Sequence, residues 1–532
     1  MNKKDSSEYM NYPEDVFAKV NTLRNYLIEH EFIDDEEYRK TYGYNFAENI
    51  DIHIKESKEF LKTNPDYAKD ELLLINKLAQ AWDDFINDEE KLVHKRHHYF
   101  LLGKAKNSGG SEKKYASVKA RNLNYQYRYD QRIIFIEVKN EKRRTLKKAR
   151  VMSILHEVGH FIGNRNRRNK NGEKYNRQEA YVNLVTAAFC SQLHRLILSK
   201  AMKTFPKFFS GNIETNIYVN PRLKLLSFEL RKTINIFYKD LHKEIKEKYF
   251  SKNNQEAIES GYLQDIEPVM IGVIREMLKK WVKKPPDWMG QLTKLLEGEL
   301  KNNDSIIQEI FDEIERNLPQ RDQREPKKSN YPWVESCGLL LQEIAADVFM
   351  LRIGEGNPSP ESLSKYFLFI VDAIIDSLDE YSEEYTRKYK KEYDVPLHFI
   401  KLFMNNNIIL PRMIAVQQAM DSTMTSVDFS VMEEFRAEDR FSKRSKARFV
   451  GLKLIDDILH KYSESTDLKG EDYDIQNIFN PLYEAVKYAK SIAHDNFDEY
   501  IYYSSVTGEA VKTTKNEVVM ERAKDLQEYL KI

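Results

Sequence analysis

Residues Thr145–Gly163 read TLKKARVMSILHEVGHFIG, and the fold turns on how this stretch is read. Thr145 is a candidate N-cap and Gly163 a candidate left-handed residue past the C-terminus, so the span predicts a single helix. Met152, Ile154, Leu155, Val158, Phe161 and Ile162 cover nearly the whole circumference of its second half, which marks that half as buried. His156 and His160 stand four residues apart on one face, where two imidazoles can reach a single ion. Glu157 is rotated from His156 by about 100°, beside that ion, where it can hold a water. Burying two histidines and a glutamate costs several kcal/mol unless they are paired or bound to metal. The H-E-x-x-H spacing therefore has a chemical reading, with the histidines as zinc ligands and the glutamate as general base.

A chain of 532 residues is too long for one compact domain, and its size predicts roughly three or four. Apolar residues make up 41% and charged residues 32%, enough to bury a core. The 84 basic and 84 acidic side chains cancel, which removes the global electrostatic argument for a nucleic-acid or membrane-surface protein. Only 18 Gly and 15 Pro among abundant Lys, Glu, Leu and Ile favour a mainly helical chain. Cys190 and Cys337 are the only cysteines and lie in no metal-binding spacing, so a reducing compartment is the simpler expectation. The N-terminus lacks the apolar core of a signal peptide, and the most apolar run, Phe367–Ile375, is too short to cross a bilayer. A soluble, cytoplasmic protein is expected.

Residues 1–102 predict helices over Asp15–Glu31, Asp35–Glu59 and Asp66–Phe100, with Lys95–His98 read as a solvated helix end. Residues 103–114, rich in Gly, Ser and Lys, form a linker. Within 115–200, Tyr115–Val138 predicts two or three strands with a turn near Tyr129–Gln131, ending in Ile133–Val138 just before the histidine helix. The basic loop Asn164–Arg177 follows and then a helix over Glu179–Lys200. Residues 201–330 read as a helical insertion, with helices at Leu223–Lys246, Glu267–Val282, Gly290–Lys301 and Ser305–Asn317. Residues 331–425 carry a second buried helix, Val334–Ile353, then helices over Glu361–Tyr381 and Pro396–Met424. Residues 426–532 are helical again, less regular near Tyr502–Lys512. In Val334–Ile353 apolar side chains surround Glu343 and Asp347, again at i and i+4. Two like charges on one buried face need a cation or hydrogen-bond donors nearby.

With HEVGH and the downstream EIAAD, Glu343–Asp347, the chain resembles the zincins, zinc metallopeptidases with an HExxH helix, and among them the gluzincins. The metzincin pattern would need a histidine where Asn166 stands. The resemblance implies a zincin-like α+β core with a small sheet, extended and interrupted by large helical regions. It implies that His156, His160 and Glu343 bind zinc, that Asp347 orients His156, and that Glu157 is the catalytic base. Glu179, in QEAYVN, is the alternative third ligand, with Asn183 where the aspartate would stand. A His or Tyr stabilising the oxyanion is also implied, with His398 and His460 among the candidates. The expected substrate is a protein or peptide, selected by the helical regions. The alternatives are a helical scaffold protein with a structural zinc site, and a nucleic-acid factor using the Arg165–Arg177 loop, against which net neutrality weighs.

Overall fold

The computed structural model describes residues 10–29, 46–89, 97–104, 116–118, 133–138, 147–162, 167–168, 174–175, 177–204, 221–249, 272–274, 276–277, 279–280, 332–389, 394–405, 408–435, 443–464, 481–497, 500–503, 510–514 and 517–531. These residues are mainly helical, with a small sheet. Helices α1 (Pro13–Glu29), α2 (Phe46–Thr63) and α3 (Pro65–Glu89) precede strands β1 (Tyr99–Lys104), β2 (Ala116–Val118) and β3 (Ile133–Val138). Helix α4 (Lys147–Ile162) carries the histidines, and the short strands β4 (Arg167–Arg168) and β5 (Lys174–Tyr175) follow it. Next come α5 (Arg177–Thr204), α6 (Pro221–Tyr249), α7 (Pro332–Glu355), α8 (Pro360–Tyr389), α9 (Val395–Asn405) and α10 (Ile409–Met420). A 3₁₀ turn at Phe429–Phe435 leads to α11 (Lys443–Glu464), α12 (Pro481–Phe497), the hairpin β6 (Tyr500–Tyr503) and β7 (Ala510–Thr514), and α13 (Glu517–Lys531). Proline opens α1, α3, α6, α7, α8 and α12, because the first helical position has no intrahelical acceptor for an N–H and its φ suits the ring.

Strand β3 is central, parallel to β1 from Tyr99↔Ile133 to Lys104↔Val138 and antiparallel to β2. Every residue of β3, and β1 up to Gly103, is buried, so both faces of the sheet are covered. One cover is α2, whose His53 stacks on Phe135 with ring centroids 4.4 Å apart. The outer edge of β1 is closed by a side chain. Asn76 of α3 accepts from Phe100 N–H at 2.9 Å and donates to Phe100 C=O at 2.8 Å, as a neighbouring strand would.

Helix α4 packs on the sheet and runs antiparallel to α7. Lys148 meets Glu355 at one end, His156 meets Asp347 further along, and His160 meets Glu343. Outside this pair, Arg150 of α4 is bidentate to Glu71 of α3, with Nε 3.2 Å from both oxygens, and its guanidinium lies over the Tyr67 ring. Tyr529 of α13 donates to the same Glu71 at 3.3 Å.

Several elements differ from the sequence reading. The third N-terminal helix ends at Glu89, and Tyr99–Lys104 is strand, so Gly103 and Lys104 belong to the sheet instead of the linker. A short apolar run such as YFLL has no diagnostic period, and its conformation is set by pairing with β3. The helix expected over Pro396–Met424 is two helices, with a turn after Met420. Asparagines at 405–407 are poor helix formers where the first one ends. The irregular stretch near Tyr502–Lys512 is a β-hairpin. The caps Thr145 and Gly163, the turn at Tyr129–Gln131, residues 105–114 of the linker, and the helices at Gly290–Lys301 and Ser305–Asn317 lie outside the described residues. Among the described residues no helix is long and apolar enough to cross a membrane.

Two predictions test this packing. Asn76→Leu strands a buried N–H and a buried C=O, and is expected to lower unfolding stability by about 2–4 kcal/mol in urea titrations. His194 of α5 is buried beside α6, where its Nε2 lies 3.1 Å from the Ser227 hydroxyl and 3.3 Å from the Ser227 C=O. Burial, reinforced by Arg231, lowers its pKa to about 4. The unfolded chain, titrating near the ordinary histidine value, binds more protons between these limits. Stability therefore falls as pH drops from about 6.5 toward 4, by on the order of 2–3 kcal/mol from this group. His194→Gln is expected to flatten that part of the stability–pH curve.

Candidate metal centre

The backbone of α4 is immersed in the core, with Val151, Ile154, Leu155 and Val158 fully buried. The same immersion places His156 at 8% exposure and leaves Glu157 and His160 half-buried. Helix α7 is apolar almost all round, and in it Glu343 and Asp347 face the histidines. His156 Nε2 lies 3.4 Å from Glu343 Oε2, and His160 Nε2 lies 3.7 Å from Glu343 Oε1. The two imidazoles stand edge to face with centroids 4.7 Å apart. One donor atom from each of His156, His160 and Glu343 falls within 4.8 Å of the other two. A tetrahedral zinc with arms of about 2.1 Å needs donors about 3.4 Å apart, and the two histidine–Glu343 separations, 3.4 and 3.7 Å, lie near that spacing. On the far side of His156, Nδ1 approaches Asp347 Oδ1 at 2.9 Å, a charge contact bent away from a linear hydrogen bond.

Glu179 lies on α5, and its side chain is outside the described residues. His398 Nδ1 lies 2.8 Å from the C=O of Asp394, the residue just before α9. Residues 164–166, 169–173 and 176 of the basic loop are outside the described residues, while Arg167–Arg168 pair with Lys174–Tyr175.

Two residues that sequence reasoning did not single out complete the site. Arg412 of α10 contacts Glu343 Oε2 through Nη1 at 2.6 Å and grips Asp347 through Nε and through Nη2, the latter at 2.7 Å. Tyr366 of α8 donates its hydroxyl to Asp347 Oδ2 at 2.6 Å. A signal for Arg412 did exist. It is the lone charge in ILPRMIAVQQAM, and a buried cation in so apolar a helix requires an anionic partner. Tyr366, in the apolar stretch SKYFLFIV, carried no comparable mark.

The electrostatics follow from burial set against these contacts. Burial disfavours a charge on His156, but Asp347 and Glu343 outweigh it and raise its pKa to about 10. Burial and the neighbouring His156 lower that of His160 to about 3, which keeps its ring neutral. Burial pushes the carboxyls of Glu343 and Asp347 up, but Arg412 and His156 prevail and hold both below the usual range. Burial opposes the charge of Arg412 too, and the two carboxylates reverse that effect.

No family model matches the chain, and no curated protein or solved structure is significantly similar to it, so the functional argument rests on these residues.

Arg412→Leu is expected to strip buried Asp347 of its bidentate partner, leaving it the Tyr366 hydroxyl and the His156 ring. Thermal or urea unfolding of the variant should show a loss of about 3–5 kcal/mol.

Proposed function

We propose that this protein is a zinc metallopeptidase of gluzincin type, which hydrolyses peptide bonds in a protein or peptide substrate. One observation carries the reading. Two histidines a helical turn apart and Glu343, from a separate helix, converge within 4.8 Å, with Glu157 directly following the first histidine. His156, His160 and Glu343 are the residues that would hold the ion. When bound, zinc supplies Lewis acidity, lowering the pKa of a water and polarising the scissile carbonyl. Glu157 would hold a water beside that ion, take its proton and return it to the leaving amine. Asp347 fixes the His156 ring from behind, as carboxylates commonly do for metal-binding histidines. Arg412 holds Asp347 and Glu343 together, so donor and support move as one unit. The sheet packed on α4 supports the zincin-like α+β core within a larger helical chain.

The decisive experiment measures bound zinc and cleavage of a peptide library for wild type and Glu157→Gln. Zinc is expected to stay while cleavage drops by about 100- to 10,000-fold, the usual contribution of a general base. Zinc in both forms with cleavage in neither would favour a structural ion in a scaffold protein. Metal content of Glu343→Ala beside Glu179→Ala identifies the third ligand. Loss is expected in the first variant, and loss confined to the second would reassign the ligand while leaving the class of enzyme standing.

A further inference from the structure

We propose that Gly159, inside HEVGH, is a positioning residue. Its missing side chain sets the spacing of α4 and α7 and so the distance from Glu343 to the two histidines. The proposal rests on the metallopeptidase reading and adds to it a residue that touches neither ion nor substrate. A Cβ built on Gly159 lies 2.8 Å from Ala346 Cα, 3.0 Å from Ala346 O and 3.1 Å from Phe349 Cβ. Ordinary contact begins near 3.4 Å. Two of the three obstructing atoms belong to the backbone of buried Ala346 and cannot rotate away. Adding a methyl group must therefore part the helices by roughly half an ångström or more. The contact sits within a turn of every donor. Gly159 adjoins His160 and follows His156 by three residues, and Ala346 follows Glu343 by three. The separation thus passes directly to the donor atoms, where metal–ligand distances tolerate about 0.2 Å.

The same pair of helices supplies an internal control. Gly354 also lies at the α4–α7 contact, but a Cβ there meets the Met152 thioether, the far end of a flexible side chain that can swing aside. The experiment loads the full-length protein with Co(II) and records its visible absorption, which reports coordination geometry, together with affinity by competition. Relative to wild type, Gly159→Ala is expected to shift the absorption bands and weaken Co(II) binding on the order of tenfold or more. Gly354→Ala should leave both unchanged. Adding Ala346→Gly to Gly159→Ala should not restore binding, because the obstruction is backbone. Equal spectra and affinities for the two glycine variants, or rescue by Ala346→Gly, would overturn the proposal.

If Gly159→Ala does not fold, Glu343→Asp probes the same gap from the other side. It keeps the charge but retracts the carboxylate by roughly 1.5 Å. Weakened Co(II) binding supports a donor gap fixed by the helix spacing, and undiminished binding overturns it. A wild-type protein that takes up no Co(II) would bring down the metallopeptidase reading and this proposal together. Binding by wild type and Gly159→Ala alike would bring down the positioning role alone.

Discussion

The carboxylate of Asp347 has no exposure to solvent, Arg412 and His156 hold its pKa below the usual range against burial, and the central packing has to satisfy it. An isolated charge at such a site is costly, so its oxygens are met by a guanidinium, a phenol and an imidazole. These partners come from α10, α8 and α4, so one buried charge fixes how three helices meet α7. Apolar packing alone would let those helices slide by a fraction of a turn at little cost. The bidentate Arg412 contact and the short Tyr366 hydrogen bond have defined geometry and prevent it. Around the carboxylate, the apolar face of α7 supplies the packing, from Ile344 and Ala345 to Phe349.

The other end of the α4–α7 pair is held in a different way. Arg150 joins α4 to Glu71 near the start of α3, and Tyr529 brings the last helix of the chain to the same glutamate. Gln527, two residues before Tyr529 on the same helix, donates to the Ile353 carbonyl at 2.8 Å, among the last residues of α7. Arg352 donates in turn to the Ala493 carbonyl of α12 at 3.0 Å. Segments from both ends of the chain thus buttress the helices that carry the histidines and Glu343. In sequence they look like extensions flanking a core, whereas in space they close its outer end.

How much of this was legible in the sequence depends on the range of each signal. The i, i+4 pairs His156/His160 and Glu343/Asp347 were readable because helical periodicity places both members on one face without any tertiary information. The pairing of the two helices with each other was readable only through a motif resemblance, since no local rule links residues so far apart. Arg412 illustrates the limit. Its role is set by carboxylates on another helix, and its own segment says only that a partner must exist. Tyr99–Lys104 failed for the same reason, because strand β3 determines its conformation. Gly159 was visible as a letter inside the motif, but its significance lies in the Ala346 backbone facing it.

Charge arithmetic gives Arg412 a place in the metal hypothesis. With both imidazoles neutral, Glu157, Glu343 and Asp347 supply three negative charges and Arg412 one positive, which leaves a formal charge of −2. A divalent ion brings that sum to zero, as a low-dielectric site requires. Without Arg412 the bound site would keep a net negative charge beside buried Asp347. Without an ion, Arg412 and a protonated His156 set two positive charges against the two carboxylates of α7, so the helices can assemble before metal arrives. Glu343 allows both states because its oxygens face different ways. Oε2 is engaged by Arg412, and Oε1 points toward His160. The carboxylate would therefore give one oxygen to an ion without releasing the Arg412 contact that positions it.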